Sequence, residues 1–442
     1  MAPDAGRPHP VLQRLFAALE DRRLSWSLLR VPSNLAAPSG DLDVLVAPEH
    51  SAAVREAAEA VGFVALPGWT SAPNMILVHY DRLSDCWLVL DVVTSVSFHS
   101  PPGWRLTLRE RDVLRRRELH DGVAVPAGSD AFWLLLLHCL LDKRFVPPHY
   151  RTRLKQLAPG ASRSVIGRTV VMAAGGQWSE TSLVDAVLSE RWEALEEMAA
   201  RLAADLRRRR AVRERARALA TRALATARKP LLLSRRTGVS LAVLGPDGVG
   251  KSTAVETIRR SFPFGSRTVY MGLWKSAGGG PLRARLEVLA RPLRLWARYA
   301  AARYHQLRGR LVLFDRYVYE AWLPANPPFL VLKNAYYWLL RHSVPSPDLA
   351  VVLDVPGRVA YARKGENSPD ELEWERRIYR DLAARLPSVH VIDASRDADA
   401  VRADITSLMW ERLVSRWHPN RSRVAPARTL SDTAAVKPVG RW

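Results

Sequence analysis

The segment Gly245-Pro-Asp-Gly-Val-Gly-Lys-Ser-Thr253 combines the residue types that bind a triphosphate. Its glycines allow a tight turn in which consecutive backbone N–H groups point toward phosphate oxygens. Lys251 is placed to bridge the β- and γ-phosphates, and the Ser252 hydroxyl is placed to ligate Mg²⁺. The apolar stretch Val239–Leu244 precedes the segment and a helix-like stretch follows it, as such a loop requires. The pattern predicts ATP and Mg²⁺ as cofactors, bound by Gly245, Pro246, Asp247, Gly248, Val249, Gly250, Lys251, Ser252 and Thr253.

A second polar pair stands where another apolar stretch ends. Leu311–Phe314 runs directly into Asp315 and Arg316. Side chains at the carboxyl ends of parallel strands face the ligand crevice, so Asp315 is placed to hold Mg²⁺ or to accept a hydrogen bond from an attacking group. Arg316 is placed to grip a phosphate with two parallel hydrogen bonds. A strand cap without any ligand is the alternative for this pair.

The elements that must position these residues are strands alternating with helices. This alternation is typical of an α/β fold with a parallel, doubly wound sheet. The predicted strands are Val239–Leu244, Thr268–Met271, Leu311–Phe314, Leu349–Leu353 and Val389–Ile392.

This half of the chain resembles the thymidylate kinase family of P-loop nucleoside monophosphate kinases. The resemblance covers about residues 239–412 and rests on the loop at 245–253, on Asp-Arg-Tyr-Val-Tyr at 315–319 and on Leu-Asp-Val-Pro-Gly-Arg at 353–358. It implies a phosphotransferase that moves the γ-phosphoryl group of ATP to a phosphorylated acceptor. That acceptor would be dTMP, another nucleoside monophosphate or a sugar phosphate.

The same resemblance assigns roles to single residues. Asp247 would contact the acceptor sugar, Asp315 would position the attacking phosphate with its magnesium, and Arg316 would grip that phosphate. Arg358 and Arg363 would close over the transferring group, where positioned positive charge does most of the catalytic work. An ordinary solvated helix surface is the alternative for these two arginines.

Three other segments bear on the same comparison. Tyr299 and Arg303 have the spacing of the family's base-stacking aromatic residue and arginine, but a tyrosine and an arginine on a helix are more often surface packing. The turn Ile392–Ser395 resembles the family's adenine-side loop. The glycine-rich stretch Ser276–Gly280 stands where the family has a helix.

The N-terminal half carries a different constellation. Two carboxylates lie two residues apart in Ser39-Gly-Asp-Leu-Asp43, and a third lies in the strand-like stretch Leu88–Val93. Residues two apart on a strand point to the same side, and three converging carboxylates can hold Mg²⁺. About residues 11–145 resemble the minimal nucleotidyltransferase fold, although turn-forming aspartates without a metal remain the alternative. The metal ligands implied by this resemblance are Asp41, Asp43 and Asp91.

Together these patterns predict a P-loop five-stranded parallel-sheet kinase domain preceded by an α+β nucleotidyltransferase-like domain with a helical extension. The predicted boundaries are a flexible N-terminus at 1–10, the α+β domain at 11–130, a helical extension with a basic helical linker at 131–236, the kinase-like domain at 237–417 and a disordered basic tail at 418–442.

The charge of the chain is strongly positive. The 442 residues carry a net charge of +22, which favours anionic partners. Between Arg201 and Arg236 there are thirteen Lys or Arg residues against Asp205 and Glu214. A solvated linker helix and a scaffold face for an anionic membrane both fit this segment. No aromatic residue is interleaved with the basic ones, so no nucleic-acid partner is expected.

The remaining predictions concern location and partners. Cys86 and Cys139 stand in apolar runs, which predicts buried thiols. Ala131–Leu141 is too short to span a bilayer, and no signal pattern begins the chain, so the predicted location is the cytoplasm. The expected partners are a nucleotide and a phosphorylated small molecule, with a homodimer left open. A nucleotide-dependent ATPase or switch that regulates the N-terminal half is the alternative to a kinase.

Overall fold

The computed structural model describes residues 7–32, 34–66, 75–98, 106–108, 110–161, 164–174, 179–208, 238–273, 281–323, 330–365 and 367–418. Within them the chain forms two five-stranded sheets, one from residues 26–93 and one from residues 240–393. We call the two halves built on these sheets the N-terminal unit and the C-terminal unit. The predicted tail beyond His418 and the basic segment beyond Arg208 lie outside the described residues.

The N-terminal unit combines its sheet with two short hairpins and a series of helices. Its strands are β1 Trp26–Leu28, β2 Asp41–Val46, β3 Val64–Ala65, β4 Met75–Asp81, β5 Cys86–Val93, β6 Val96–Phe98, β7 Leu106–Leu108, β8 Glu118–His120 and β9 Val123–Val125. Its helices are α1 Pro10–Asp21, α2 Ser51–Ala60, α3 Glu110–Leu114, α4 Gly128–Leu137, α5 Pro148–Leu157, α6 Val165–Ala174, α7 Glu180–Leu188 and α8 Trp192–Arg208. A π-helical turn, His138–Lys143, continues α4.

The N-terminal sheet is mixed, with the strand order β1-β2-β5-β4-β3. Its central strands β2 and β5 are parallel, and their register places Asp43 opposite Asp91. Leu45 and Val93, each two residues further along, pack against α4 and its π-helical turn. Leu90 packs on the other face with α1 and α2. Strand alternation therefore puts the carboxylates on the face that the helical extension covers.

The C-terminal unit is an α/β layer structure with a fully parallel sheet. Its strands are β10 Ser240–Leu244, β11 Ser266–Tyr270, β12 Leu311–Asp315, β13 Leu349–Asp354 and β14 Val389–Asp393. Its helices are α9 Lys251–Ser261, α10 Pro281–Leu307, α11 Leu330–Ser343, α12 Gly357–Lys364, α13 Pro369–Arg385 and α14 Ala398–Trp417. The strand order is β11-β12-β10-β13-β14, which confirms the predicted five-stranded parallel sheet.

Three local features differ from the sequence-based expectations. Ordered structure begins before Val11, since His9 is buried and its ring accepts the Val11 N–H at the start of α1. The helical stretch before the basic segment is broken between α7 and α8, where Glu190 has a left-handed backbone with φ 55°. Both thiols are free, but only Cys139 is buried, whereas Cys86 is half-buried at the start of β5.

An aromatic contact joins the two units. The ring of Trp87 on β5 meets Phe262, which follows α9, with centroids 5.5 Å apart, and Trp410 on α14, with centroids 5.6 Å apart. Both contacts have edge-to-face geometry, which aromatic pairs prefer. Val78 and Val89 belong to the same apolar cluster, so part of the N-terminal sheet is covered by the C-terminal unit.

Ion pairs surround this aromatic contact. Arg82 lies 2.7 Å from Asp404, and Arg402 lies 2.5 Å from Asp85. Asp85 also accepts the Tyr80 hydroxyl at 2.6 Å. The rim of the contact is therefore polar around an apolar centre, as in protein interfaces generally.

One structural observation bears on the prediction that Ala131–Leu141 is too short to span a bilayer. No helix within the described part of the chain has the length and apolar character that a bilayer crossing needs.

Candidate functional site

The phosphate-binding loop lies between the carboxyl end of β10 and the start of α9. Gly245, Gly248 and Gly250 have φ of 136°, 83° and 96°, a backbone region that side chains disfavour. A Cβ on Gly248 would lie 2.3 Å from the carbonyl oxygen of Ala360 on α12. The loop therefore requires glycine at this position both for its backbone and for the close approach of α12.

Lys251 begins α9 and folds back over the loop. Its side chain is 6% exposed. Its Nζ donates to the carbonyl oxygens of Gly245 at 2.8 Å and Pro246 at 2.7 Å, and to Asp247 Oδ1 at 3.1 Å. The ammonium group is thus held against the loop by three acceptors that belong to the loop itself.

A chain of ion pairs runs from this lysine across the crevice. Asp247 Oδ1 also accepts from Arg316 Nη2 at 2.5 Å, and Arg316 Nη1 donates to Glu320 Oε1 at 2.9 Å. Arg316 has φ 66°, which is uncommon for a residue with a side chain and marks a constrained position. The predicted donor-side and acceptor-side residues therefore meet at Asp247.

The site contains oxygens suited to Mg²⁺. The Ser252 hydroxyl donates to Asp315 Oδ2 at 3.3 Å, so a hydroxyl and a carboxylate lie side by side at the loop. Hard cations such as Mg²⁺ prefer oxygen ligands of this kind together with phosphate oxygens. The donor set fits the predicted ion.

The charged groups in the crevice shift one another's pKa values. Burial acts to raise the pKa of Asp247, but the charges of Lys251 and Arg316 hold it below its usual value. Burial, and then the charge of Arg316, lowers the pKa of Lys251. Burial raises the pKa of Glu320 against the opposing charge of Arg316. Burial and the nearby Asp247 raise the pKa of Glu375, on α13, to about 7.

The predicted lid arginines lie on α12, next to the loop. The Arg363 guanidinium lies 3.4 Å from the carbonyl oxygen of Ala394, in the turn predicted to form the adenine side. Arg358 is exposed on the same helix. The structure thus brings Arg363 to the predicted nucleotide side, and a closing role for either arginine stays a prediction.

The tyrosine and arginine with the family's base-reading spacing lie on α10. Tyr299 and Arg303 line a cavity together with Ser240 and Asp348. Ser240 begins β10, whereas Phe314 and Tyr317, which also line the cavity, lie at and just after the carboxyl end of β12. A base-reading role for this pair stays a prediction, since the spacing of two helix residues does not by itself specify a ligand.

Sequence reasoning missed three residues of the site. Glu320 follows Arg316 by four residues, and that spacing on a helical turn is the signal that was available. Glu375 lies in a helix rich in glutamate, so nothing local distinguishes it. Gly272 lies directly beneath Arg316, since a Cβ there would be 2.7 Å from the Arg316 Cδ.

The N-terminal carboxylates do converge. Oxygen atoms of Asp41, Asp43 and Asp91 all lie within 4.8 Å of one another. Arg30 forms an ion pair with Asp43. Burial raises the pKa of Asp43, Arg30 opposes this, and the charge of Asp41 adds to it. Three such oxygens suit a divalent cation, which would also relieve the repulsion between the carboxylates.

Comparisons with known proteins give curated relatives but no family model, since none matches the chain. Thymidylate kinase of Xanthomonas campestris pv. campestris (strain B100) is 32% identical over 230 residues, which cover 45% of this chain and 93% of the relative. A probable thymidylate kinase of Pyrobaculum aerophilum is 27% identical over 186 residues, covering 38% and 95% of the two chains. A solved structure of deoxyadenosine kinase from M. mycoides with bound dATP covers 39% of this chain and 98% of its own, at 16% identity and a TM-score of 0.28.

The thymidylate kinase of Xanthomonas campestris is more than 30% identical to this chain and is matched over nearly its whole length. The parallel five-stranded sheet and the phosphate-binding loop described above agree with that match. The chain therefore belongs to the thymidylate kinase family of nucleotide kinases.

Proposed function

We propose that the C-terminal unit transfers the γ-phosphoryl group of Mg·ATP to the phosphate group of a small acceptor. The relatives are named thymidylate kinases, so dTMP is the first candidate acceptor. Other nucleoside monophosphates and sugar phosphates are the next candidates. Lys251 and Ser252 act on the donor, whereas Asp315 and Arg316 act on the acceptor.

One observation carries this proposal. A single carboxylate oxygen of Asp247 accepts from Lys251 at 3.1 Å and from Arg316 at 2.5 Å. A donor phosphate held by the lysine and an acceptor phosphate held by the arginine would therefore lie on either side of Asp247. Phosphoryl transfer needs this kind of proximity, since positioning and electrostatic stabilisation supply nearly all of its catalysis.

The chain's own residues divide the work. Lys251 neutralises charge that develops between the β- and γ-phosphates, and the N-terminal end of α9 adds its dipole. The Ser252 hydroxyl and Asp315 would hold Mg²⁺, which would neutralise negative charge on the phosphates. The exposed Arg358 and Arg363 would add positive charge on closure.

Replacing Arg316 with methionine is expected to raise KM for the acceptor about 10- to 100-fold, because hydrogen bonds to a charged group contribute about 1.5–3 kcal/mol. KM for ATP should change little. Initial rates of phosphoryl transfer from ATP to a panel of nucleoside monophosphates and sugar phosphates measure both constants.

Arg259→Met is the matched control, since Arg259 is 45% exposed and pairs with Glu256 on the surface of α9. It should leave both constants unchanged. If the wild-type protein binds ATP but transfers phosphate to no compound of the panel, the kinase proposal fails in favour of a nucleotide-dependent ATPase or switch.

A second candidate function belongs to the N-terminal unit. The convergence of Asp41, Asp43 and Asp91 within 4.8 Å supports a divalent-metal site. We propose that this site holds a metal-bound nucleotide in the manner of the minimal nucleotidyltransferase fold, with the three carboxylates as ligands. Arg30 would share Asp43 with the metal.

Asp91→Asn is expected to weaken Mn²⁺ binding at least about tenfold, because a neutral amide replaces one of three anionic ligands. Calorimetric titration of the nucleotide-free protein measures this affinity. Asp121→Asn is the control, since Asp121 is exposed and its φ of 49° suits asparagine as well. Equal Mn²⁺ affinity in the wild type and the Asp91 variant would exclude the site.

A further inference from the structure

Glu320 is a buried carboxylate that pairs with Arg316. It lies on the 3-10 turn Val318–Trp322 that follows β12, and it is 1% exposed. A charged side chain is almost never buried to this degree unless it is paired. Its partners therefore indicate what it does.

Glu320 joins two segments of the acceptor side. Its Oε1 accepts from Arg316 Nη1 at 2.9 Å, and its Oε2 accepts the backbone N–H of Leu273 at 2.8 Å. Arg316 follows β12, whereas Leu273 follows β11, the neighbouring strand. One carboxylate thus fixes the guanidinium to the segment that leads away from the sheet edge.

The rest of Arg316 is equally constrained. Its side chain lies over the bare backbone of Gly272, where a Cβ would be 2.7 Å from Cδ. Its backbone has φ 66°. These two features fix the stem of the side chain, and Glu320 fixes one edge of the guanidinium, so the Nη2 edge is the one directed toward the phosphate loop at Asp247.

The two carboxylates that hold Arg316 are not equivalent. Asp247 is 26% exposed and also accepts from Lys251, so it keeps a cation when Arg316 turns to another anion. Glu320 is buried, and losing Arg316 would leave a buried negative charge without its cation, which is strongly unfavourable. An acceptor phosphate would therefore displace Asp247 from Nη2 and leave Glu320 on Nη1.

We propose that Glu320 is a positioning residue that presents the Nη2 edge of Arg316 to the acceptor phosphate. The inference rests on the proposed function, because it assumes that Arg316 binds a phosphorylated acceptor. Glu320 itself touches neither phosphate. It acts by pre-organising the guanidinium, which lowers the cost of ordering that side chain when the acceptor binds.

The test uses Glu320→Gln in the full chain. Glutamine retains the size of the side chain and an oxygen for the Leu273 N–H, but it removes the ion pair with Arg316. KM for the acceptor is expected to rise about tenfold, with kcat and KM for ATP changed less than about twofold, because one charge-assisted bond is weakened. Thermal unfolding checks that the variant is folded.

Glu256→Gln provides the control. Glu256 is 39% exposed and pairs with Arg259 and Arg260 on the surface of α9, so its loss should leave all three constants unchanged. The inference is overturned if folded Glu320→Gln keeps the wild-type acceptor KM, or if it raises both KM values equally. Glu320→Asp offers a second variant that retains the charge, and it should recover part of the acceptor affinity.

Binding measurements separate this inference from the proposed function. Calorimetric titration with dTMP in the absence of ATP gives an acceptor Kd without turnover. If the wild type binds dTMP but transfers no phosphate, the kinase proposal fails while the expected tenfold loss of dTMP affinity in Glu320→Gln still tests Glu320. If the wild type neither binds dTMP nor any other monophosphate of the panel, both proposals fail.

Discussion

Replacing Lys251 with methionine is expected to lower the rate of phosphoryl transfer about 10²- to 10³-fold, the loss typical for one electrostatic donor in a preorganised site. The Lys251 ammonium is held against the loop by three acceptors, two of which are backbone carbonyls. No other side chain of the described loop, 245–253, carries a positive charge. Initial rates at saturating ATP and acceptor measure the effect.

The same variant also tests the fold. Lys251 is 6% exposed, and its loss leaves the carbonyls of Gly245 and Pro246 without this donor, so a modest drop in the unfolding midpoint is expected. Lys155→Met is the control, because Lys155 is 43% exposed and pairs with Glu190 far along the chain. If the Lys251→Met protein is folded and transfers phosphate at the wild-type rate, Lys251 does not contribute to phosphoryl transfer.

Mg·ATP should raise the unfolding midpoint of the wild type more than that of the lysine variant. A ligand that binds only the native state stabilises it in proportion to its affinity. If the lysine variant loses both turnover and the Mg·ATP-induced rise of its unfolding midpoint, Lys251 acts in the binding of Mg·ATP. Loss of turnover with an unchanged shift would place it in the chemical step.

The donor side of the site was largely predictable from the sequence. Its residues are contiguous from Gly245 to Thr253, and a strand before them and a helix after them fix their geometry. Positive φ at three glycines and the bonds of Lys251 are local consequences of that contiguity. Five alternating apolar stretches likewise predicted the parallel sheet, because buried parallel strands read as continuous apolar runs.

The acceptor side was less predictable, because its contacts join distant segments. Glu320 meets Leu273 across 47 residues, and Arg316 meets Asp247 across 69. Neither of these sequence separations produces a recognisable spacing of residue types along the chain.

The arrangement of the N-terminal carboxylates was predictable only in part. Alternation along β2 predicts that Asp41 and Asp43 share a side, and the parallel register adds Asp91 opposite Asp43. The ion pair from Arg30 to Asp43 was not predictable, because Arg30 stands in the connection after β1. Metal binding at these carboxylates stays a prediction.

Replacing Trp87 with alanine is expected to lower the free energy of unfolding by about 3–5 kcal/mol, the usual range for a large buried aromatic side chain. Trp87 is 9% exposed and contacts Phe262 and Trp410 edge-to-face. Urea denaturation monitored by circular dichroism measures the loss. Trp338→Ala is the control, since Trp338 is 61% exposed, and such surface changes usually stay within about 0.5 kcal/mol.

The position of Trp87 gives this prediction a second consequence. On β5, Trp87 and Val89 pack against the C-terminal unit, and Asp91, the next residue on the same side of the strand, joins the carboxylate trio. Phe262 directly follows the helix that begins with Lys251. Because one strand and one helix connect the two sites through Trp87, Mg·ATP should slow hydrogen exchange in β5 of the wild type, and Trp87→Ala should abolish that protection. Equal protection of β5 in both proteins, with the tryptophan variant folded, would mean that the two units meet without being energetically coupled.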